Sequence, residues 1–111
     1  MPVTTISSEA QYFDAIKSDD AVTAILFGAP WDESSKAVSP KFKAYSDNAK
    51  WNKDIKFFKV DICEQQEVAM DAGVEMAPTF RFYRGGNKVS EYVGSSYPAL
   101  ERTMGAVLNH H

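Results

Sequence analysis

The chain has 111 residues, 44% of them hydrophobic and 24% charged, with a net charge of −3 at pH 7. This length suits one globular domain with a modest core, and scattered lysines provide no basic face for nucleic acid. The longest apolar stretch, residues 21–29, is far shorter than the roughly 20 residues of a membrane helix, and no basic-then-apolar leader opens the chain, so we expect a cytoplasmic protein without a membrane partner.

The N-terminal third predicts a short strand, a helix and a buried strand. Residues 3–6 suit an edge strand, and Ser8 and Gln11 have the three-residue spacing of a capping box at a helix start. The side chains expected on one face of this helix are Tyr12, Phe13 and Ile16. Residues 21–27 are apolar almost throughout, which is typical of a strand covered on both faces. We therefore expect that strand at the centre of the sheet.

The middle of the chain predicts a kinked helix, a second buried strand and a short helix. Residues 35–50 carry apolar side chains at helical spacing, namely Val38, Phe42, Tyr45 and Ala49. Pro40 lies inside this helix and should kink it, because proline removes a backbone donor and clashes with the preceding turn. Residues 55–62 predict the second buried strand, and residues 65–72 a short helix that Gly73 ends.

The C-terminal third predicts a hairpin and a final helix. Two strand-like runs, 79–83 and 88–93, flank Arg-Gly-Gly-Asn, a composition typical of a hairpin turn. The last helix has Pro98 in its first turn and an apolar face of Leu100, Met104, Val107 and Leu108. The order β-α-β-α-β-α-β-β-α predicts one α/β domain over residues 1–108, with helices on both faces of a mixed sheet. We interpret residues 109–111 as a disordered tail or tag remnant and not as a metal site.

Several short motifs resemble the thioredoxin family over nearly the whole chain. That family has Ala-x-Trp-Cys-Gly-Pro-Cys-Lys after a strand, a proline five residues after the second cysteine, Pro-Thr before a hairpin, and a glycine after the last strand. The matching residues are Ala29, Trp31, Lys36, Pro40, Pro78, Thr79 and Gly94. The resemblance implies the thioredoxin fold.

The departures from the family fall on the residues that carry its chemistry. Asp32 and Ser35 occupy the two cysteine positions, and Glu33 and Ser34 replace the Gly-Pro between them. Leu26 stands where disulfide-reducing members place a buried aspartate. Disulfide exchange needs one thiolate to attack and a second thiol to resolve the mixed disulfide, and serine supplies neither. The resemblance therefore implies a redox-inactive member with no catalytic residue and no cofactor.

The Asp-Glu-Ser-Ser stretch has a simpler interpretation as a helix start. Asp and Ser are favoured N-caps, and acidic side chains suit the positive end of a helix dipole. A catalytic interpretation is weak, because Asp32 and Glu33 have no histidine nearby in sequence to complete an acid–base pair. A metal interpretation is equally weak, since these two carboxylates have no visible third ligand.

Cys63 is the single cysteine, which excludes an intramolecular disulfide and a multi-cysteine zinc site and favours a reducing compartment. It follows the third strand and is expected to be a semi-buried small residue. The alternative is a reactive monothiol that takes up glutathione or links two chains, although Asp61 and Glu64 beside it disfavour a thiolate. We expect a monomer and leave a Cys63-linked dimer open.

A second candidate site is a shallow apolar groove that the family resemblance implies. Its residues would be Trp31, Met76, Ala77, Pro78, Gly94 and Tyr97. The resemblance also implies that Pro78 is cis and that the residue before it pairs with a bound peptide in redox-active members. An alternative is that Pro78 and Gly94 serve folding alone. An exposed tryptophan beside Met and Tyr favours binding, because such residues are enriched at contact hot spots.

Two functions of different class are therefore predicted. The first is a redox-inactive interaction module that binds a protein or peptide in the groove. The second is an atypical redox or glutathione-binding enzyme that uses Cys63 as a monothiol, or a helix-start serine to help a bound thiol ionise. A glutathione affinity would distinguish them.

Overall fold

The computed structural model describes residues 3–109. Of the predicted tail 109–111, His110 and His111 lie outside the described residues, whereas Asn109 is the last residue of the final helix. Five strands form one sheet: β1 Thr4–Thr5, β2 Val22–Gly28, β3 Ile55–Asp61, β4 Thr79–Arg84 and β5 Asn87–Val93. Their order is β1-β3-β2-β4-β5. β3 pairs in parallel with β1 and β2, whereas β4 is antiparallel to both β2 and β5. The predicted mixed sheet, with residues 21–27 in its central strand, is confirmed.

Five helices complete the described fold: α1 Glu9–Ile16, α2 Glu33–Ser46, α3 Ala49–Asn52, α4 Gln66–Ala72 and α5 Tyr97–Asn109. The prediction of one helix over residues 35–50 is wrong, because α2 ends at Ser46 and a separate turn, α3, follows. Asn48 starts α3: its side-chain oxygen accepts a hydrogen bond from the backbone N–H of Lys50 at 2.9 Å. Asparagine competes with helix propagation in this way and favours caps.

The core divides into two clusters, one on each face of the sheet. On one face, Val22, Ala24 and Leu26 of β2 pack with Phe42 of α2 and Leu100 of α5. On the other face, Ile25 and Phe27 of β2 pack with side chains of α1 and α4, among them Tyr12 and Val68. Successive side chains of a strand point to opposite faces, so β2 joins the two clusters.

Three burial predictions are wrong. Phe13 is 48% exposed because α1 turns only Tyr12 fully into the core, and Ala49 is exposed at the start of α3. The strand predicted as buried, β3, is buried only in part: Lys56 and Lys59, which point to opposite faces of the sheet, are both exposed. Its partner on one side, β1, has only two residues, which leaves β3 close to a sheet edge, where exposed charged side chains are tolerated. Trp51 of α3 is also buried, although it does not belong to the apolar helical spacing of residues 35–50.

The predicted hairpin turn is confirmed at Gly85 and Gly86. Their φ angles are +59° and +85°, the left-handed conformation that a two-residue turn needs at both central positions and that glycine adopts without strain. The backbone N–H of Gly85 donates to the Ser18 carbonyl, and that of Gly86 to the Ile16 carbonyl, each at 2.8 Å. The tip of the hairpin is thereby attached to the end of α1.

A buried arginine connects this hairpin to the helices on one face. Arg81 of β4 is 7% exposed and its Nε lies 3.1 Å from Glu91 Oε2 on β5, an ion pair in which the N–H is not aligned for a hydrogen bond. Its Nη1 donates to the Tyr83 hydroxyl at 3.1 Å, and Nη2 to the Gly73 carbonyl at 3.5 Å. The Tyr83 hydroxyl also lies 3.1 Å from that of Tyr12. The network joins β4, β5, α1 and the end of α4.

We predict that Glu91→Gln destabilises the fold by about 1–2 kcal/mol near pH 7, because the buried Arg81 loses its counter-charge. Partial burial raises the pKa of Glu91, but Arg81 outweighs it and holds this pKa below its usual value. The pair therefore stabilises the fold above the unfolded-state pKa of about 4.3, and this stability is lost as the pH falls through the folded-state pKa. Urea unfolding should accordingly show a lower free energy of unfolding for Glu91→Gln than for the wild type near pH 7, and no difference between them near pH 3. An equal difference at both pH values, or a similar loss for the exposed control Glu75→Gln, would contradict this.

Candidate functional site

Four loops meet at one end of the sheet because the ends of the paired strands coincide. Gly28 at the end of β2 is in register with Asp61 at the end of β3, and Phe27 of β2 is in register with Thr79, the first residue of β4. Thr79 in turn pairs with Val93, the last residue of β5. The loops after β2, β3 and β5 and the loop before β4 therefore leave the sheet together. These loops and the first turns of α2 and α5 carry every candidate residue that the sequence predicts except Leu26.

The Asp-Glu-Ser-Ser stretch forms the start of α2. Asp32 is the N-cap, and its Oδ2 accepts hydrogen bonds from the backbone N–H of Ser35 at 2.8 Å and from the Ser35 hydroxyl at 2.9 Å. Ser35 is buried, and its Oγ accepts a hydrogen bond from the Ala29 N–H at 3.3 Å. Ser34 is exposed, and Glu33 forms an exposed ion pair with Lys36 at 3.5 Å. The polar atoms of Asp32 and Ser35 therefore satisfy one another and the local backbone.

Leu26 lies behind this helix start. It is buried in β2, in register with Lys59 of β3. A cavity of about 360 Å³ next to it is also lined by Ser35, Ser39 and Lys59. Leu26 is an alkyl side chain, so it can neither accept nor donate a proton beside Ser35.

Trp31 is 68% exposed in the loop between β2 and α2. Its indole Nε1 donates to Cys63 Sγ at 3.1 Å, and Cys63 is exposed and not semi-buried as predicted. The Cys63 loop is fixed by Asp61, whose Oδ1 accepts the backbone N–H groups of Cys63 at 2.8 Å and of Glu64 at 3.2 Å. The structure thus brings together Trp31 and Cys63, which the sequence predicts as parts of two separate candidate sites. The register of Gly28 with Asp61 explains this, since both loops begin at adjacent strand ends.

The remaining groove residues lie on the loops next to β4 and β5. The Ala77–Pro78 peptide bond is cis, and the Pro78 carbonyl accepts the N–H of Gly94 at 3.1 Å. The exposed apolar side chains at this end include Trp31, Met76, Val93 and Tyr97. Gly94 has φ +141°, and a Cβ there would lie 2.7 Å from the Tyr92 hydroxyl oxygen. A side chain at this position would be strained and would clash with Tyr92.

Metal binding and membrane insertion find no support in the described part of the chain. Within residues 3–109, no three His, Cys, Asp or Glu side chains are grouped so that they could hold a metal ion. No helix in the same range has the length and apolar character required to cross a membrane.

The comparisons with known proteins agree with one another. A family model described as thioredoxin matches residues 3–106. Thioredoxin-1 of Schizosaccharomyces pombe is 35% identical over 101 residues, which cover 91% of this chain and 95% of that protein. Thioredoxin of Rattus norvegicus is 32% identical, with 92% and 95% covered. The crystal structure of Malassezia sympodialis thioredoxin matches with a TM-score of 0.87 and 31% identity, covering 96% of this chain and 93% of that chain.

We predict that Asp32→Ala lowers the free energy of unfolding by about 1 kcal/mol, because two donors around Ser35 lose their acceptor. Glu33→Ala is the matched control: it removes a neighbouring carboxylate that caps nothing, and it should change stability by less than about 0.5 kcal/mol. Urea unfolding of the two variants measures the difference. Equal losses would contradict the assignment of Asp32 as the cap.

Proposed function

The chain belongs to the thioredoxin family, and on this premise we propose that it is a redox-inactive member that binds a protein or peptide partner. The proposed binding site is the groove of Trp31, Met76, Ala77, Pro78 and Gly94. The observation that carries the proposal is the helix start after β2, where Asp32 and Ser35 bond to each other. By the resemblance to the family pattern, these two residues correspond to its two cysteines.

The loss of redox activity is supported by the chemistry of three positions. A disulfide reductase needs two thiols close together, and this chain has one cysteine in all. The two residues at the cysteine positions are a carboxylate and a hydroxyl, neither of which forms a redox couple. Leu26 adds a third change, because it places an alkyl group where a proton acceptor would serve the resolving thiol.

The binding role is supported by what remains at the same end of the sheet. Trp31 and Met76 expose most of their surface, 68% and 65% respectively, and exposed aromatic residues are enriched at binding hot spots. The contact between Gly94 and Pro78 keeps the two adjoining loops in a defined arrangement. We propose a cytoplasmic monomer, in which the exposed thiol of Cys63 stays reduced.

The second candidate function is that of a monothiol or glutathione-binding enzyme, and one contact favours it. The Trp31 indole N–H donates to Cys63 Sγ, with 3.1 Å between Nε1 and Sγ, and this contact places an exposed thiol beside the groove. A role for Ser35 in ionising a bound thiol is disfavoured, because the Ser35 side chain is buried and bonded to Asp32 and Ala29. Ser34 is exposed and stays in this alternative.

We predict that Trp31→Ala weakens capture of groove partners from an extract of the source cell, while the free energy of unfolding changes by less than about 0.5 kcal/mol. Phe13→Ala is the matched control, because Phe13 is an exposed aromatic residue on α1, away from the groove. Cys63→Ser should leave the same partners bound. Partners lost with Cys63→Ser but kept with Trp31→Ala, together with a measurable glutathione affinity, would instead establish the monothiol enzyme.

A further inference from the structure

The acidic charge of this protein is concentrated around one half of the groove. Residues 28–36, 61–65 and 74–79 form the loops that carry Trp31, its contact Cys63, and Met76. These three segments contain five carboxylates and one lysine, a net charge of −4, whereas the whole chain has a net charge of −3. All the other residues together therefore carry a net charge of +1.

The positions of the five carboxylates follow from the fold. Asp32 and Glu33 follow Trp31 directly. Asp61 and Glu64 hold or flank the loop of Cys63, whose Sγ accepts the Trp31 indole N–H. Glu75 precedes Met76. The one cation of these segments, Lys36, is 3.5 Å from Glu33.

The other half of the groove differs in charge. Residues 93–98 contain no charged side chain, and Lys41 Nζ lies 5.0 Å from the centroid of the Tyr97 ring and 5.4 Å from that of Tyr45. This lysine is engaged with two aromatic faces. The formal charge thus differs along the groove: the segments that carry Trp31 and Met76 are acidic, whereas the segment that carries Tyr97 is uncharged.

We propose that the partner is a basic peptide segment whose apolar residue rests on Trp31 and Met76 and whose flanking Lys or Arg side chains face the surrounding carboxylates. This rests on the proposed function of the groove and adds the chemical class of its occupant. Apolar contact supplies affinity, and charge complementarity selects among partners by speeding association with basic segments and disfavouring acidic ones. An acidic segment would bring like charges near the carboxylates of these loops and would be disfavoured.

Fluorescence anisotropy with three labelled nonapeptides tests this. Each nine-residue probe has three leucines at its centre, flanked on either side by three lysines, three glutamines or three glutamates. The lysine peptide should bind most tightly in 20 mM NaCl, and its advantage over the glutamine peptide should disappear in 500 mM NaCl, because salt at that concentration screens charges beyond a few ångströms. The glutamate peptide should bind most weakly.

The variant Glu33→Gln with Glu75→Gln should weaken binding of the lysine peptide about three- to tenfold at low salt and leave the glutamine peptide unchanged. The matched control is Asp19→Asn with Asp54→Asn, which changes the net charge equally. Asp19 and Asp54 lie just before β2 and β3, at the opposite end of the sheet, so this control should retain the wild-type affinity.

The outcomes separate this inference from the function on which it rests. Equal binding of the lysine and glutamine peptides, both lost with Trp31→Ala, would overturn the basic partner and keep the groove. The basic partner would also be overturned if the Glu33→Gln, Glu75→Gln variant and the Asp19→Asn, Asp54→Asn control weakened binding of the lysine peptide equally. That result would show an effect of net charge alone. Lysine-peptide binding that survives Trp31→Ala, or no binding of any probe, would overturn both proposals.

Discussion

The pairing of β2 with strands on both of its edges is the constraint on which the rest of the structure depends. β2 is buried on both faces, and it is parallel to β3 and antiparallel to β4. Because its register with both neighbours ends at Phe27 and Gly28, the adjoining loops converge at one place. At Gly28 a Cβ would lie 3.2 Å from Ser35 Oγ, so a small residue at the strand end lets α2 start directly behind the sheet.

The same helix start shows how this position is stabilised without a thiol. The first N–H groups of any helix need an acceptor and favour negative charge. A thiolate at this position would use that environment for reactivity, whereas Asp32 uses it for stability, through its bonds to Ser35. The folded core therefore does not depend on a dithiol. The same end of the sheet exposes Trp31 and Met76, and the loops that carry them are rich in carboxylates.

Local patterns predicted those features that short stretches of sequence determine. β2 followed from its uninterrupted apolar run, the hairpin from its two glycines, and the end of α4 from Gly73, which has φ +73°. The break between α2 and α3 was missed because apolar spacing continued past Asn48, whose cap is a local hydrogen bond that periodicity does not detect.

Features that depend on long-range packing could not be predicted in the same way. The burial of Arg81 does not follow from the sequence, since a charged residue in a strand normally faces solvent. Its partner Glu91 lies beside it only because of the register of the hairpin. The contact of Trp31 with Cys63 likewise spans 32 positions. The candidate groove was implied by family resemblance, whereas the charge around it becomes apparent only when the loops are assembled.

The measurement that tests the central claim most directly is the reduction of a small disulfide by stopped flow, comparing the wild-type protein with Asp32→Cys combined with Ser35→Cys. The wild type should not exceed the buffer rate. The double variant should reduce the substrate and form a disulfide between its two introduced thiols, because the helix start favours the attacking thiolate. Adding Leu26→Asp should raise its rate about tenfold or more. Wild-type turnover that disappears with Cys63→Ser would contradict the claim that this fold has lost its redox chemistry.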